Sequence, residues 1–209
     1  TGFLIGLSNG INVLVARFYG ARHPKDVEKT VHSAAIISAV AGVALLLIGL
    51  LGSPAMLRLL NTKPELLDQA TLYMQIYFCG MPALALYNFG NAVYSAIGNT
   101  KKPLYYLLFS GIVNVVLNLV FVIGFSMSVA GVALATIISQ TVSACMVTRM
   151  LMKEEGALHL DLHHLGFHMG ALKQILLIGL PAGLQSTVFS LSNVVIQSAI
   201  NSFGSTVVA

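Results

Sequence analysis

PLYYLLFSGIVNVVLNLVFVIGFSMSVAGVALATIISQTVSACMVT, residues 103–148, runs for 46 residues without an Asp, Glu, Lys or Arg. At ~1.5 Å rise per residue, one continuous helix of that length would overshoot the ~30 Å hydrocarbon core of a bilayer about twofold. The stretch holds a natural break, Gly124-Phe-Ser-Met-Ser-Val-Ala-Gly131, which is small and polar. It therefore reads as two membrane-crossing helices joined by a short turn. Strands are disfavoured, because the apolar runs are long and do not alternate with period two.

Outward from this stretch the same pattern repeats. Residues 1–16, 30–57, 69–100 and 174–209 also lack charged side chains. Six helical segments follow, at about 2–20, 31–52, 66–97, 102–124, 129–152 and 172–200. The fold class expected is all-α, a polytopic helical membrane protein. Composition agrees: 56% of the 209 residues are hydrophobic and only 9% are charged, against about 25% charged in a soluble domain. That excludes a soluble enzyme with a charged shell and excludes a disordered chain. Cys79 and Cys145 lie in apolar runs, so no disulfide framework is expected. The chain starts on Thr1 and ends in an apolar run. It reads as cut at both ends, with no signal peptide visible.

The net charge of +4 would suggest a nucleic-acid partner in a soluble protein. Here it sets orientation, and no nucleic acid is expected. If every segment crosses, Arg17, Arg22, Lys25, Lys29, Lys101, Lys102, Arg149, Lys153 and Lys173 share one side, against Arg58 and Lys63 on the other. The richer side is cytoplasmic, and both ends of the chain are external.

The spans are not smooth anchors. Gly2, Gly6 and Gly10 recur at four-residue spacing in the first, which lets a neighbouring helix approach closely. The third carries Gln75, Asn88, Asn91 and Tyr94 with Pro82 in its middle. Such a proline frees a carbonyl and bends the helix, so something polar must compensate. Asn114 and Asn118 lie one turn apart on one face of the fourth. Ser139, Gln140 and Thr141 follow in the fifth, and Pro181, Gln185, Asn193, Gln197 and Asn201 in the last. An amide facing lipid costs several kcal/mol. These amides must face other helices or an aqueous cavity. For any one of them an interhelical hydrogen bond is the simpler reading; for the set, a wet interior is.

His159, His163, His164 and His168 surround Asp161 between Gly156 and Gly170. The i, i+4 pairs could hold a metal on a helix. The interleaved Leu158, Leu160, Leu162, Leu165 and Phe167 favour an interfacial linker instead, and no metal site is assigned. His32 stands alone near the start of the second span and reads as interfacial. No phosphate-cradling loop and no Ser/His/acid set is present, so an enzyme is not expected. Pattern alone cannot separate a transporter from a channel or a scaffold.

Particular residues say more. Ala16-Arg-Phe-Tyr-Gly-Ala21 ends a span, and Ala96-Ile-Gly-Asn-Thr-Lys-Lys-Pro103 joins two. Asn114-Val-Val-Leu-Asn118, Gly131-Val-Ala-Leu-Ala-Thr136 and Ile178-Gly-Leu-Pro181 follow in order. This set resembles the multidrug and toxic compound extrusion (MATE) transporters, which have twelve helices in two six-helix lobes. The resemblance implies that residues 1–155 are helices 2 to 6 of the N-terminal lobe. Residues 156–171 would be a cytoplasmic inter-lobe linker, and 172–209 the first helix of the C-terminal lobe, incomplete. The missing helices of the full-length protein are then partners, as is the lipid bilayer.

In the family a first-lobe pocket is implicated in H⁺ or Na⁺ coupling. It uses an acid on helix 1, an Asn-x-x-x-Asp pair on helix 5 and a Thr on helix 6. Asn114 and Thr136 match, and Asn118 stands where Asp is frequent. An amide can coordinate Na⁺ through its carbonyl but cannot titrate near neutral pH. The helix 7 stretch Gln185-Ser-Thr-Val-Phe-Ser190, where some members have an acid, is uncharged. The resemblance implies a cation-coupled antiporter of the cytoplasmic membrane that exports small organic compounds, often cationic, with no cofactor beyond the coupling ion. Asn114, Asn118 and Thr136 are the expected pocket; Gln75, Asn91, Gln185 and Asn193, on polarity alone, are candidate cavity residues. A related lipid-linked saccharide flippase and a non-transporting scaffold are the alternatives.

Overall fold

A computed structural model describes residues 1–59 and 63–202, with side chains to residue 200. The end of the expected 172–209 segment and the Asn201 side chain lie outside the described residues. The elements are α1 (Gly2–Gly20), α2 (Pro24–Leu59), α3 (Pro64–Cys79), α4 (Met81–Ala96), α5 (Lys101–Leu119), α6 (Val129–Lys153) and α7 (Met169–Ser202). A single π turn, Val120–Gly124, continues α5, and a 3₁₀ turn, Gly156–Leu158, precedes α7. Among the described residues every regular element is helical.

The two-helix reading of residues 103–148 holds, with the turn falling after Gly124. Two expected boundaries change. The third segment is not one helix over 66–97 but α3 and α4, broken at Gly80. Pro82 sits in the first turn of α4, where its missing N–H costs nothing. A Cβ on Gly80 would lie 2.9 Å from Gln140 Oε1 and 3.2 Å from Ile137. Gln140 and Ile137 of α6 thus pack directly against the bend. The second segment, expected over 31–52, has 36 residues. Its N-terminal charges are exposed and extend the helix beyond the hydrocarbon rather than ending it. Pro54 lies inside it and frees the carbonyl of Leu50, four residues back. Gln75 Nε2 of α3 donates to that oxygen at 3.4 Å.

Among the described residues four helices are long and apolar enough to cross a bilayer alone: α2, α5 with its π turn, α6 and α7. Large apolar side chains stand exposed along them, among them Leu47 and Ile48 of α2, Ile112 and Val115 of α5, and Val188 and Phe189 of α7. Water would penalise such a surface, but lipid does not.

Successive helices alternate direction, α3 and α4 counting as one bent crossing. One end gathers the loop after α1, the junction before α5, and the linker before α7. There Leu158 and Leu160 complete a packed core with Leu14, Val31, Val93 and Leu151. At the other end Leu57, Leu66 and Val129 line one hollow. The nine-to-two division of basic residues therefore falls across the two ends of the bundle. Gly98, at φ +80°, ends α4 with the Asn99 N–H on Tyr94 O at 2.9 Å. A left-handed residue at a helix terminus favours glycine, which accounts for the Gly98-Asn99-Thr100 junction.

Candidate functional site

Ser110, Asn114 and Asn118 recur every fourth residue and so share one face of α5. That face meets α6 at Ser139, which is buried. Ser110 Oγ donates to Ser139 O at 2.6 Å. Asn114 Nδ2 donates to Ser139 Oγ at 3.1 Å, and Asn118 Nδ2 donates to Asn114 Oδ1 at 2.9 Å. Ser139 Oγ in turn donates to the Thr136 carbonyl at 2.8 Å. The outcome is a polar ladder across two apolar helices, ending on one unsatisfied atom. Asn118 Oδ1 is buried and has no hydrogen-bond partner. A buried carbonyl oxygen left unpaired costs about 1–3 kcal/mol. It is also what a cation or a proton donor would seek.

The structure joins Asn114 directly to Asn118, while Thr136 enters through its backbone. The Thr136 hydroxyl donates to Val132 O of its own helix at 2.9 Å. Sequence reasoning did not include Ser110 or Ser139 in the site. The signal was present in the i, i+4 spacing of Ser110 with Asn114 and the i, i+3 spacing of Thr136 with Ser139.

The four candidate cavity residues do not converge. Gln75 is engaged by the carbonyl that Pro54 frees. Asn91 Oδ1 accepts from Ser95 Oγ of its own helix at 3.5 Å. Gln185 and Asn193 are exposed on α7. An interhelical amide outside the expected set does appear: Asn12 Nδ2 of α1 donates to Ala92 O of α4 at 3.0 Å.

At the basic end, His32 does not stand alone. It is 5% exposed, with Nδ1 donating to Glu28 O at 2.8 Å and Nε2 accepting from the Asp161 N–H at 3.3 Å. The Ser33 hydroxyl accepts from the His168 N–H at 3.2 Å. These bonds tie the linker to α2. The His163 N–H and the His164 ring hold the Asp161 carboxyl below the usual aspartate value. Glu154, which caps α6, takes the Lys102 ammonium and the Tyr94 hydroxyl, joining the end of α6 to α4 and α5. Among the described residues no three His, Cys, Asp or Glu side chains converge on a metal-sized site.

The seam between α1 and α7 is the opposite of the polar ladder. A Cβ on Gly6 would come within 2.1 Å of the Gly183 Cα, and one on Gly10 within 2.8 Å of the Gly179 Cα. Gly2 faces the Ser186 backbone and the Ser190 hydroxyl. The four-residue glycine spacing is a packing device, and α7 is the neighbour it admits.

The MatE family model matches residues 1–120. The chain is 30% identical over 221 aligned residues to the probable multidrug resistance protein YpnP of Bacillus subtilis, covering 99% of this chain and 46% of that protein. It is 26% identical to the multidrug export protein MepA of Staphylococcus aureus, covering 99% of this chain and 47% of that one. A crystal structure of MATE in the bent conformation superposes with a TM-score of 0.88 at 24% identity, over 97% of this chain and 46% of that one. The chain spans about half the length of the curated relatives it matches.

Proposed function

The chain belongs to the MatE family, and on that premise we propose that the full-length protein is a cation-coupled antiporter that exports small organic compounds. It works as a multi-pass protein of the cytoplasmic membrane. Residues 1–155 form helices 2 to 6 of one lobe, residues 156–171 the inter-lobe linker, and residues 172–209 the start of the second lobe. The two lobes rock about a central site to give alternating access.

The observation that carries this reading is the unpaired Asn118 oxygen at the end of the Ser110, Asn114 and Ser139 ladder. A scaffold has no use for it, because apolar side chains at both 114 and 118 would cost less. The amide oxygens of Asn114 and Asn118, with the hydroxyl of Thr136, line a pocket that takes Na⁺ or receives a proton relayed from an acid elsewhere in the protein. Neither asparagine titrates near neutral pH, so a proton-coupled cycle needs that acid. Occupancy favours one conformation and weakens the hold on substrate. Asn91, Gln185 and Asn193 are the polar surface nearest in character to a substrate path; Gln75 has a structural task. The relatives named as multidrug resistance and multidrug export proteins support drugs as the substrate class.

The test is drug-dye efflux from proteoliposomes holding the full-length protein under an imposed Na⁺ or H⁺ gradient. Asn114→Ala should lower gradient-driven efflux by about tenfold, within the range a coupling of 1–3 kcal/mol gives, at unchanged insertion. Equal efflux at equal reconstitution would overturn the pocket.

A further inference from the structure

A groove of about 560 Å³ lies between the α3–α4 bend and the cytoplasmic half of α6, away from the polar ladder. Its floor is apolar, with Pro82, Ala83, Leu86, Ala144 and Met152 among the lining. Along α6 it runs from Thr141 to Met152, about 16 Å at the helical rise. That is close to half of the ~30 Å hydrocarbon thickness, or one leaflet. Two polar groups sit toward its cytoplasmic end. The Thr148 hydroxyl oxygen is buried without a hydrogen-bond partner. Arg149 is exposed, and among the described residues no carboxylate pairs with it. Glu154, in the same region, is already committed to Lys102 and Tyr94.

We propose that this groove is a binding site for an anionic phospholipid of the cytoplasmic leaflet. One acyl chain lies along the α4–α6 groove. The Arg149 stem runs along the apolar wall while its guanidinium reaches up to the phosphate, as long basic side chains do at interfaces. Basic pockets between helices on this side of a membrane recognise anionic headgroups in the same way. A zwitterionic lipid would fill the floor equally well but would bring an ammonium toward Arg149. A lipid wedged here would also brace the bend at Gly80, which α6 already contacts through Ile137 and Gln140.

Cys145 lines the groove and is exposed, so it can carry a reporter. The experiment uses the full-length protein with Cys145 as its single cysteine, labelled with bimane and reconstituted in phosphatidylcholine bilayers. Brominated phosphatidylglycerol or brominated phosphatidylcholine is added as quencher. Brominated phosphatidylglycerol should quench at about fivefold lower mole fraction, the equivalent of ~1 kcal/mol for one arginine at an anionic surface. Arg149→Gln should bring the two lipids to parity without changing thermal stability, and Arg149→Lys should keep most of the preference. Ala83→Trp, which fills the groove, should weaken quenching by both. Parity in the parent protein, a preference that survives Arg149→Gln, or no quenching by either lipid would each overturn the proposal. Parity would mean bulk lipid only, and no quenching would mean that another helix covers the groove.

Discussion

α1 and α5 have the same length, 19 residues each, and opposite constructions. α1 buries seven residues, three of them Leu4, Gly6 and Gly10, whereas α5 buries only Pro103 and Ser110. α1 meets α7 backbone to backbone through glycine, so close that one added carbon has no room. α5 turns bulky aliphatics outward and presents serine and asparagine to α6. In lipid neither contact is driven by hydrophobic burial, since the tails are as apolar as the side chains. The α1–α7 seam gains from dense van der Waals contact. The α5–α6 seam gains from hydrogen bonds and carries one acceptor more than it can satisfy. A seam built only for cohesion has no such excess, which is why the working surface is assigned to α5.

The largest effect expected from a single substitution lies in the glycine seam. Gly6→Leu forces a side chain into the Gly183 backbone and should destabilise by about 3 kcal/mol or more, the upper end for overpacking, because backbone cannot move aside. Gly111→Leu on α5 has nothing within 4 Å and should leave stability nearly unchanged. Thermal unfolding in detergent compares them, and a similar loss for both would erase the contrast between the seams.

The next effect separates stability from activity. Asn118→Leu removes the unpaired oxygen but also the donor to Asn114 Oδ1, so one orphan acceptor replaces another and stability should change by less than about 1 kcal/mol, while efflux falls by about tenfold. Loss of both together would make Asn118 an ordinary packing residue.

The smallest effect is in the linker. The Asp161 carboxyl is held below its ordinary value of 3.8 by the His163 N–H and the His164 ring. A depressed carboxylate stabilises the turn above that ordinary value, and the contribution is lost as pH falls through the depressed one. Hydrogen exchange at His163 should therefore quicken only below the usual aspartate range, and Asp161→Asn should quicken it at neutral pH.

Much of this was legible from where charge is absent. The uncharged runs located the helices, and the basic residues divided between the two ends of the bundle as the crossing pattern required. Pro82 announced the bend, but not the split into two helices, because the break falls at Gly80, two residues earlier, in an apolar run with no charge to mark it. The length of α2 escaped because charges at a membrane interface look like a loop when they are the wet turns of a longer helix. The asparagine face of α5 was visible as spacing. Its partner Ser139 was visible only as a polar residue, since the register between α5 and α6 is a tertiary fact. Gln75 illustrates the same limit. Pro54 implies a freed carbonyl at Leu50, but nothing local says which amide will meet it.

The central claim, that the polar face of α5 borders water enclosed by the bundle, is best tested by cysteine accessibility in the full-length protein with Cys79 and Cys145 replaced by serine. Single cysteines at positions 110, 112, 114, 116 and 118 would be treated with a maleimide that reacts only where water reaches the thiol. The account predicts labelling at 114 and 118, changing with the coupling ion, little at 110, which is packed against Ser139, and none at 112 and 116, where Ile112 and Val116 now face outward. Labelling equal at all five positions, or confined to 112 and 116, would contradict it.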